Sequence, residues 1–140
     1  MTRAEILKTI EEHHAQLLAV LDGIPEEAMC KRPIVEWWTI KDVLGHIATW
    51  EQVAIQFLAE YKQAGVPKPL GMDSDAAINA YNKRAATLRR DWPLARVRAE
   101  FDAAHRDLLA AVETLSDADL AKQLPAPWEK GDTLEKLIAI

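Results

Sequence analysis

The sequence has one cysteine, Cys30, so no internal disulfide can staple it. Its longest apolar runs fall far short of the roughly 20 residues that a bilayer-spanning helix needs, which excludes a transmembrane reading. No N-terminal stretch joins a basic start to an apolar run and a small-residue cleavage site, so a cytoplasmic location is expected. Positive charge is also scarce. The 17 Lys and Arg are outnumbered by 22 Asp and Glu, and the formal charge of -5 opposes phosphate binding and argues against a nucleic-acid partner. There is no Gly-rich phosphate loop, no CxxC and no GxSxG. There is also no HxxxH, the spacing that often gives a metal two histidines from one helical face.

The chain does have apolar content: 49% of its 140 residues are hydrophobic and only five are glycine. That composition fits a compact fold with one core, long enough to fold unstapled, so residues 1–140 are expected to form a single domain. Thr2 and Glu5 make a capping box ahead of an apolar stripe, Ile6 to Leu21, that runs to about Asp22. Gly23 and Pro25 stop that helix. Pro25, Glu26 and Glu27 suggest one short helical turn, and Pro33 marks a break before the adjacent Trp37 and Trp38.

Thr39 with Asp42 then repeats the capping pattern. Ile40, Val43, Leu44, Ile47, Trp50, Ala54, Phe57, Leu58 and Tyr61 recur at helical spacing, predicting a helix from Ile40 to about Ala64 that stops at Gly65. A Pro- and Gly-rich loop follows. Ser74 or Asp73 can cap a helix from Asp75 to about Arg90, and a further long helix carries Leu94, Val97, Phe101, His105, Leu108, Val112 and Leu115. SDADL reads as a short capped turn. Asp132 with Glu135 is expected to start a last helix, DTLEKLIAI.

The connection from Ala64 to Pro93 is long enough to cross a bundle, so the fold class expected is all-α: a four-helix bundle, up-down-down-up, with a helical crossover. The last helix is short for that role. Thr133 to Ile140 covers about 12 Å, against about 33 to 38 Å for the long helices. We therefore expect either some 15 to 25 further residues beyond Ile140 or a partner chain that supplies the missing surface.

His46 lies at the edge of the central helix's stripe, on the side of Trp50, Val53 and Phe57. Counting down each helix from the shared end puts His46 at roughly 10 Å, His14 level with it at roughly 12 Å, and His105 lower at about 18 Å. His13 points about 100° from His14, so the two are not expected to face one site. The pocket candidates are therefore Trp38, Trp50 and His14 beside His46, with Glu51 as a weaker acid/base candidate on the stripe's other margin. Lys83, Arg84, Arg89, Arg90, Arg96 and Arg98 make a locally basic segment with acids interleaved, and it reads as a solvated face.

The stretch WTIKDVLGHIATWE, Trp38 to Glu51, resembles the start of the second helix in the DinB-like (DinB/YfiT) helical-bundle superfamily. FDAAHRDLLAAVETLSDADL, followed by PW and a GDTLEKLIAI helix start, looks most like its ClbS/DfsB branch, and the similarity covers nearly all of the chain. The resemblance implies a four-helix bundle of up-down-down-up topology. It also implies a divalent metal, Zn or Ni, held by one histidine of the second helix and an HxxxH pair on the last. His46 matches the first ligand, and the expected place of the other two lies beyond Ile140. The activities implied are metal-dependent thiol transfer and hydrolysis, with protection against a reactive cyclopropane-containing genotoxin in the ClbS-like branch.

Two functions follow as expectations. One is a metal-dependent hydrolase or thiol transferase acting on a small electrophile, with His46 as ligand or general base. The other is a bundle that binds or sequesters an apolar ligand without metal, or pairs as a homodimer through an exposed aromatic face.

Overall fold

The structure, a computed structural model, describes residues 1–138. Among these the chain is helical, without a strand of any length: α1 (Arg3–Leu21), α2 (Glu26–Lys31), α3 (Ile40–Ala64), α4 (Asp75–Leu88), α5 (Leu94–Glu113), α6 (Asp117–Ala121) and α7 (Leu134–Leu137). No helix of the described residues is long and apolar enough to cross a membrane.

The boundaries follow local chemistry. Thr2 with Glu5 and Thr39 with Asp42 both close reciprocal capping boxes. Ser116 does the same with Asp119 for α6. At the far end of α3, Gly65 adopts φ 78° and its N–H bonds Tyr61 O, a left-handed stop that a Cβ would disfavour. Removing the Thr39 hydroxyl orphans the first turn of α3, so Thr39→Ala is expected to cost about 1 kcal/mol in denaturant unfolding. A loss below a few tenths would mean that the cap does not set this boundary.

Two layers of core establish the chain's direction. Leu21 of α1, Leu44 of α3, and Leu94, Val97 and Phe101 of α5 share one cluster. Ile6 and Ile10 of α1, Ala54 and Leu58 of α3, and Leu108 and Val112 of α5 share the other, together with Leu134 and Ile138. Thus α3 and α5 run parallel, α1 opposes both, and α7 sets off from the end where α1 begins. The fold is the expected four-helix, up-down-down-up bundle, with α7 in the fourth place. The Met1 ammonium reaches Glu135 at 3.1 Å, tying the chain's start to α7.

Several local expectations change. α2 extends to Lys31 rather than making one turn. Helix α4 ends at Leu88, two residues early, because Arg89 turns inward and bridges to α5. Thr133, not Asp132, caps α7, and the Asp132 carboxylate instead accepts from Glu129 N. The final residues of the expected DTLEKLIAI helix, 139–140, lie outside the described residues.

The crossover is fixed to the bundle at three points. Arg89 is buried over Gly45, where a Cβ would stand 2.7 Å from its Cδ, and its guanidinium forks onto Glu100. Trp50 Nε1 donates to Asn82 Oδ1 of α4 at 2.7 Å. Trp128 Nε1 donates to Pro67 O at 2.7 Å and lies edge-on to Phe57. These contacts hold the Pro-rich loop 66–74 against α3, where it forms one wall of a cavity.

Candidate functional site

The larger cavity, about 670 Å³, lies between α3, the crossover loop and α7. From α3 it receives His46, Trp50, Glu51, Val53 and Phe57; from the loop, Leu70 and Met72; from beyond α6, Trp128 and Leu137. These positions follow from the helical repeat. Residues 46, 50, 53 and 57 recur at three and four residue steps and share one face, while Glu51 with Ile47 belongs to the neighbouring face that also meets a second cavity.

His46 stands between two indoles. Its ring meets Trp38 edge-on with centroids 5.1 Å apart and Trp50 at 6.5 Å. Burial holds its pKa below the ordinary imidazole value, so at neutral pH the ring is uncharged and keeps a lone pair. Glu51 is also half-buried, and the same desolvation raises its carboxyl to about 7. An uncharged imidazole and a carboxyl that titrates near neutrality suit acid–base work at one wall.

A smaller cavity of about 200 Å³ opens between α1, α3 and α5, and Ile47, Glu51 and Ile138 line both. Here the structure departs from the expected depths. His14 is not level with His46 but stacks on His105, with centroids 3.7 Å apart and planes 7° from parallel, and it also stacks on Phe101 at 4.9 Å. The reason is the stagger of the helices. His14 is seven residues before Leu21, whereas His105 is eleven after Leu94, so α1 ends about one turn below the level where α5 begins. Leu18 and Leu21 accordingly share a depression with Arg98, a turn into α5.

His14 therefore lines the smaller cavity, away from Trp50, and exposed His13 lines it too, against the expectation that the two would not share a site; Trp38 touches His46 but is not among the lining residues of either cavity. Burial and the facing His105 both push the His14 pKa down. Parallel rings also aim their lone pairs side by side rather than at one point, which suits stacking and not a shared ion.

A divalent metal needs more than His46. Among the described residues no group of three or more His, Cys, Asp or Glu could hold one, and Glu51 is five residues from His46, about 140° around the helix. Residues 1–138 therefore do not themselves fit a complete metal site.

The crossover wall and Trp128 were not candidates from sequence. The available signal was a tryptophan in the Pro-rich stretch LPAPWEKGD, since an indole needs both apolar cover and a partner for its N–H.

The model of the DinB superfamily matches residues 9–139. The chain belongs to the DinB superfamily. This bears out the resemblance drawn from WTIKDVLGHIATWE. Over 113 residues it is 27% identical to the uncharacterised protein YuaE of Bacillus subtilis (strain 168), covering 76% of this chain and 70% of that one. Among solved structures, DfsB, described as a sibling lethal factor precursor, superposes with TM-score 0.81 at 19% identity, covering 99% of this DinB-superfamily chain and 84% of its own. An uncharacterised protein of Escherichia coli UTI89 superposes with TM-score 0.78 at 16% identity, covering 99% and 82%. At such identities these neighbours establish the shared fold of the DinB superfamily and no more.

Proposed function

We propose that this DinB-superfamily chain is an enzyme acting on a small electrophilic molecule, by hydrolysis or thiol transfer. The observation that carries this reading is the placement of His46 and Glu51 on the α3 wall of one cavity whose other charged lining residues, Asp73 and Lys136, are exposed at its rim. The roles follow from their charge states. Uncharged His46 takes the proton of an attacking water or thiol as its oxygen or sulfur bonds to the electrophilic carbon. Protonated Glu51 gives its proton to the departing atom, which leaves with the electron pair of the broken bond. Trp38 and Trp50 meet the imidazole edge-on and orient it.

The Zn or Ni implied by the family resemblance would use His46 as one ligand and supply a Lewis acid. Among the described residues no set of three ligands forms around it. His46→Ala separates the two uses. If the purified protein carries a stoichiometric metal, the variant is expected to lose it by elemental analysis, and unchanged metal content removes His46 from the ligand set. With no metal in either protein, the general-base role alone remains. The test of the reading itself is turnover of an electrophile with water or a thiol. The extent of apolar wall favours a second reading, a sequestering protein, and stoichiometric binding without product would select it.

A further inference from the structure

We infer that the larger cavity takes an elongated, mainly apolar molecule lying along α3, with one uncharged polar end between His46 and Glu51 and its apolar body reaching Phe57 and Trp128. This rests on the proposed use of the same site and specifies what enters it. Three observations carry it.

The first is length. The lining face of α3 runs from His46 to Phe57, eleven residues, which is about 16 Å at the helical rise. The polar groups of α3 lie in the first half of that span. His46 and Glu51 belong to its first two turns, whereas Val53 and Phe57 continue it without a polar atom.

The second is that both indoles on the wall have already spent their donors. Trp50 gives its N–H to Asn82 and Trp128 gives its own to Pro67. What they offer a ligand is ring surface, so the body that fits between them gains nothing from polar substituents.

The third lies at the open side. Leu70 of the crossover loop is 40% exposed although it lines the cavity, and Met72 and Ile78 stand beside it. An apolar body in the trough would cover that side chain. The charged lining residues Lys136 and Asp73 are exposed and opposite in sign, so they mark the rim rather than an anion or cation site.

A ladder of primary n-alkanols from six to fourteen carbons, titrated into the full chain and read by tryptophan fluorescence, measures this trough. The dissociation constant is expected to fall about fourfold per added methylene. It should then level off near ten carbons, since a head group held midway between His46 and Glu51 leaves about 12 Å of the face to Phe57, the length of an extended chain of that size at about 1.25 Å per methylene.

Leu137→Trp, which adds bulk on α7 beside the Ala54 and Leu58 core, should bring the break to a shorter chain. Ile78→Trp repeats the test from α4 should the first variant fold poorly by circular dichroism. No saturable binding overturns the inference. So does affinity independent of chain length, or affinity that climbs through fourteen carbons without a break, as simple partitioning would give. Turnover of a short electrophile with no preference for longer homologues would overturn this inference and leave the proposed function standing. A clear ladder without any turnover would support the inference and count against the enzyme.

Discussion

Replacing Arg89 by alanine is expected to lower the unfolding free energy by about 3 kcal/mol, measured by urea or guanidinium titration. Arg89 Nε donates to Glu100 Oε1 at 2.6 Å, Nη2 to Oε2 at 2.9 Å, and Nη1 to Ala85 O at 3.0 Å, so all three guanidinium nitrogens are engaged. The pair is largely out of water, with side-chain exposures of 8% for Arg89 and 19% for Glu100. Truncating the arginine leaves a carboxylate in that setting without its partner. Because Glu100 retains some contact with solvent, the loss should fall at the low end of the range for breaking a buried pair.

The alanine also opens a void over Gly45 and removes the guanidinium that lies 5.4 Å from the Trp92 ring centre. A control separates charge from packing. Arg89→Met combined with Glu100→Leu keeps volume and removes both charges, so most of the lost stability should return. A single-variant loss below about 1 kcal/mol would mean that the fork adds little beyond surface pairs. The consequence reaches the site because Gly45 precedes His46, and Arg89 determines how closely the crossover approaches α3 at that turn.

What the sequence could convey was short-range. Thr39, Asp42 and Gly65 bound α3 because caps and stops act within four residues, and the apolar period of α5 needs no partner to be read. The parallel course of α3 and α5 was also legible, since a connection with its own helix can cross the bundle. Stagger between helices was not. It depends on contacts between helices distant in sequence, and it places His14 beside His105 instead of His46. The cavity's outer walls were hidden for the same reason: Trp128 and Pro67 are 61 residues apart, and neither carries a local sign of the other. Glu51 read only as a weaker acid/base candidate on the stripe's margin because helical periodicity locates a face but cannot say what lies opposite. Ile138 and the histidine-lined smaller cavity supply that information.

Glu51→Gln is accordingly the most informative change at the site, and its effect on stability should depend on pH in a defined direction. Burial raises the folded carboxyl from its ordinary 4.5 to about 7, so between those values the folded protein binds more protons than the unfolded chain. Stability contributed by this group is therefore present below pH 4.5 and lost as pH rises through about 7. His14, His46 and His105 act oppositely. Their depressed pKa values make the unfolded chain the better proton acceptor as pH falls below their ordinary 6.5. Subtracting wild type from variant at each pH cancels the histidines to first order and isolates Glu51.

Glutamine cannot ionise, so the variant should be the more stable protein at pH 8, by about 1 kcal/mol once the shift is discounted for the carboxyl's partial exposure, and should show no such gain near pH 4.5. In the same variant, turnover of an electrophilic substrate should drop about 100-fold or more, because an amide cannot pass a proton to the departing atom. Binding of a long alkanol should survive, since the side chain's shape is kept. A stability difference that stays flat from pH 4.5 to 8 would show that the Glu51 carboxyl is hydrated like any surface acid, and the acid role would fall with it. A pH-dependent difference with undiminished turnover would keep the buried carboxyl and transfer the proton step to another group, with His46 the first to test.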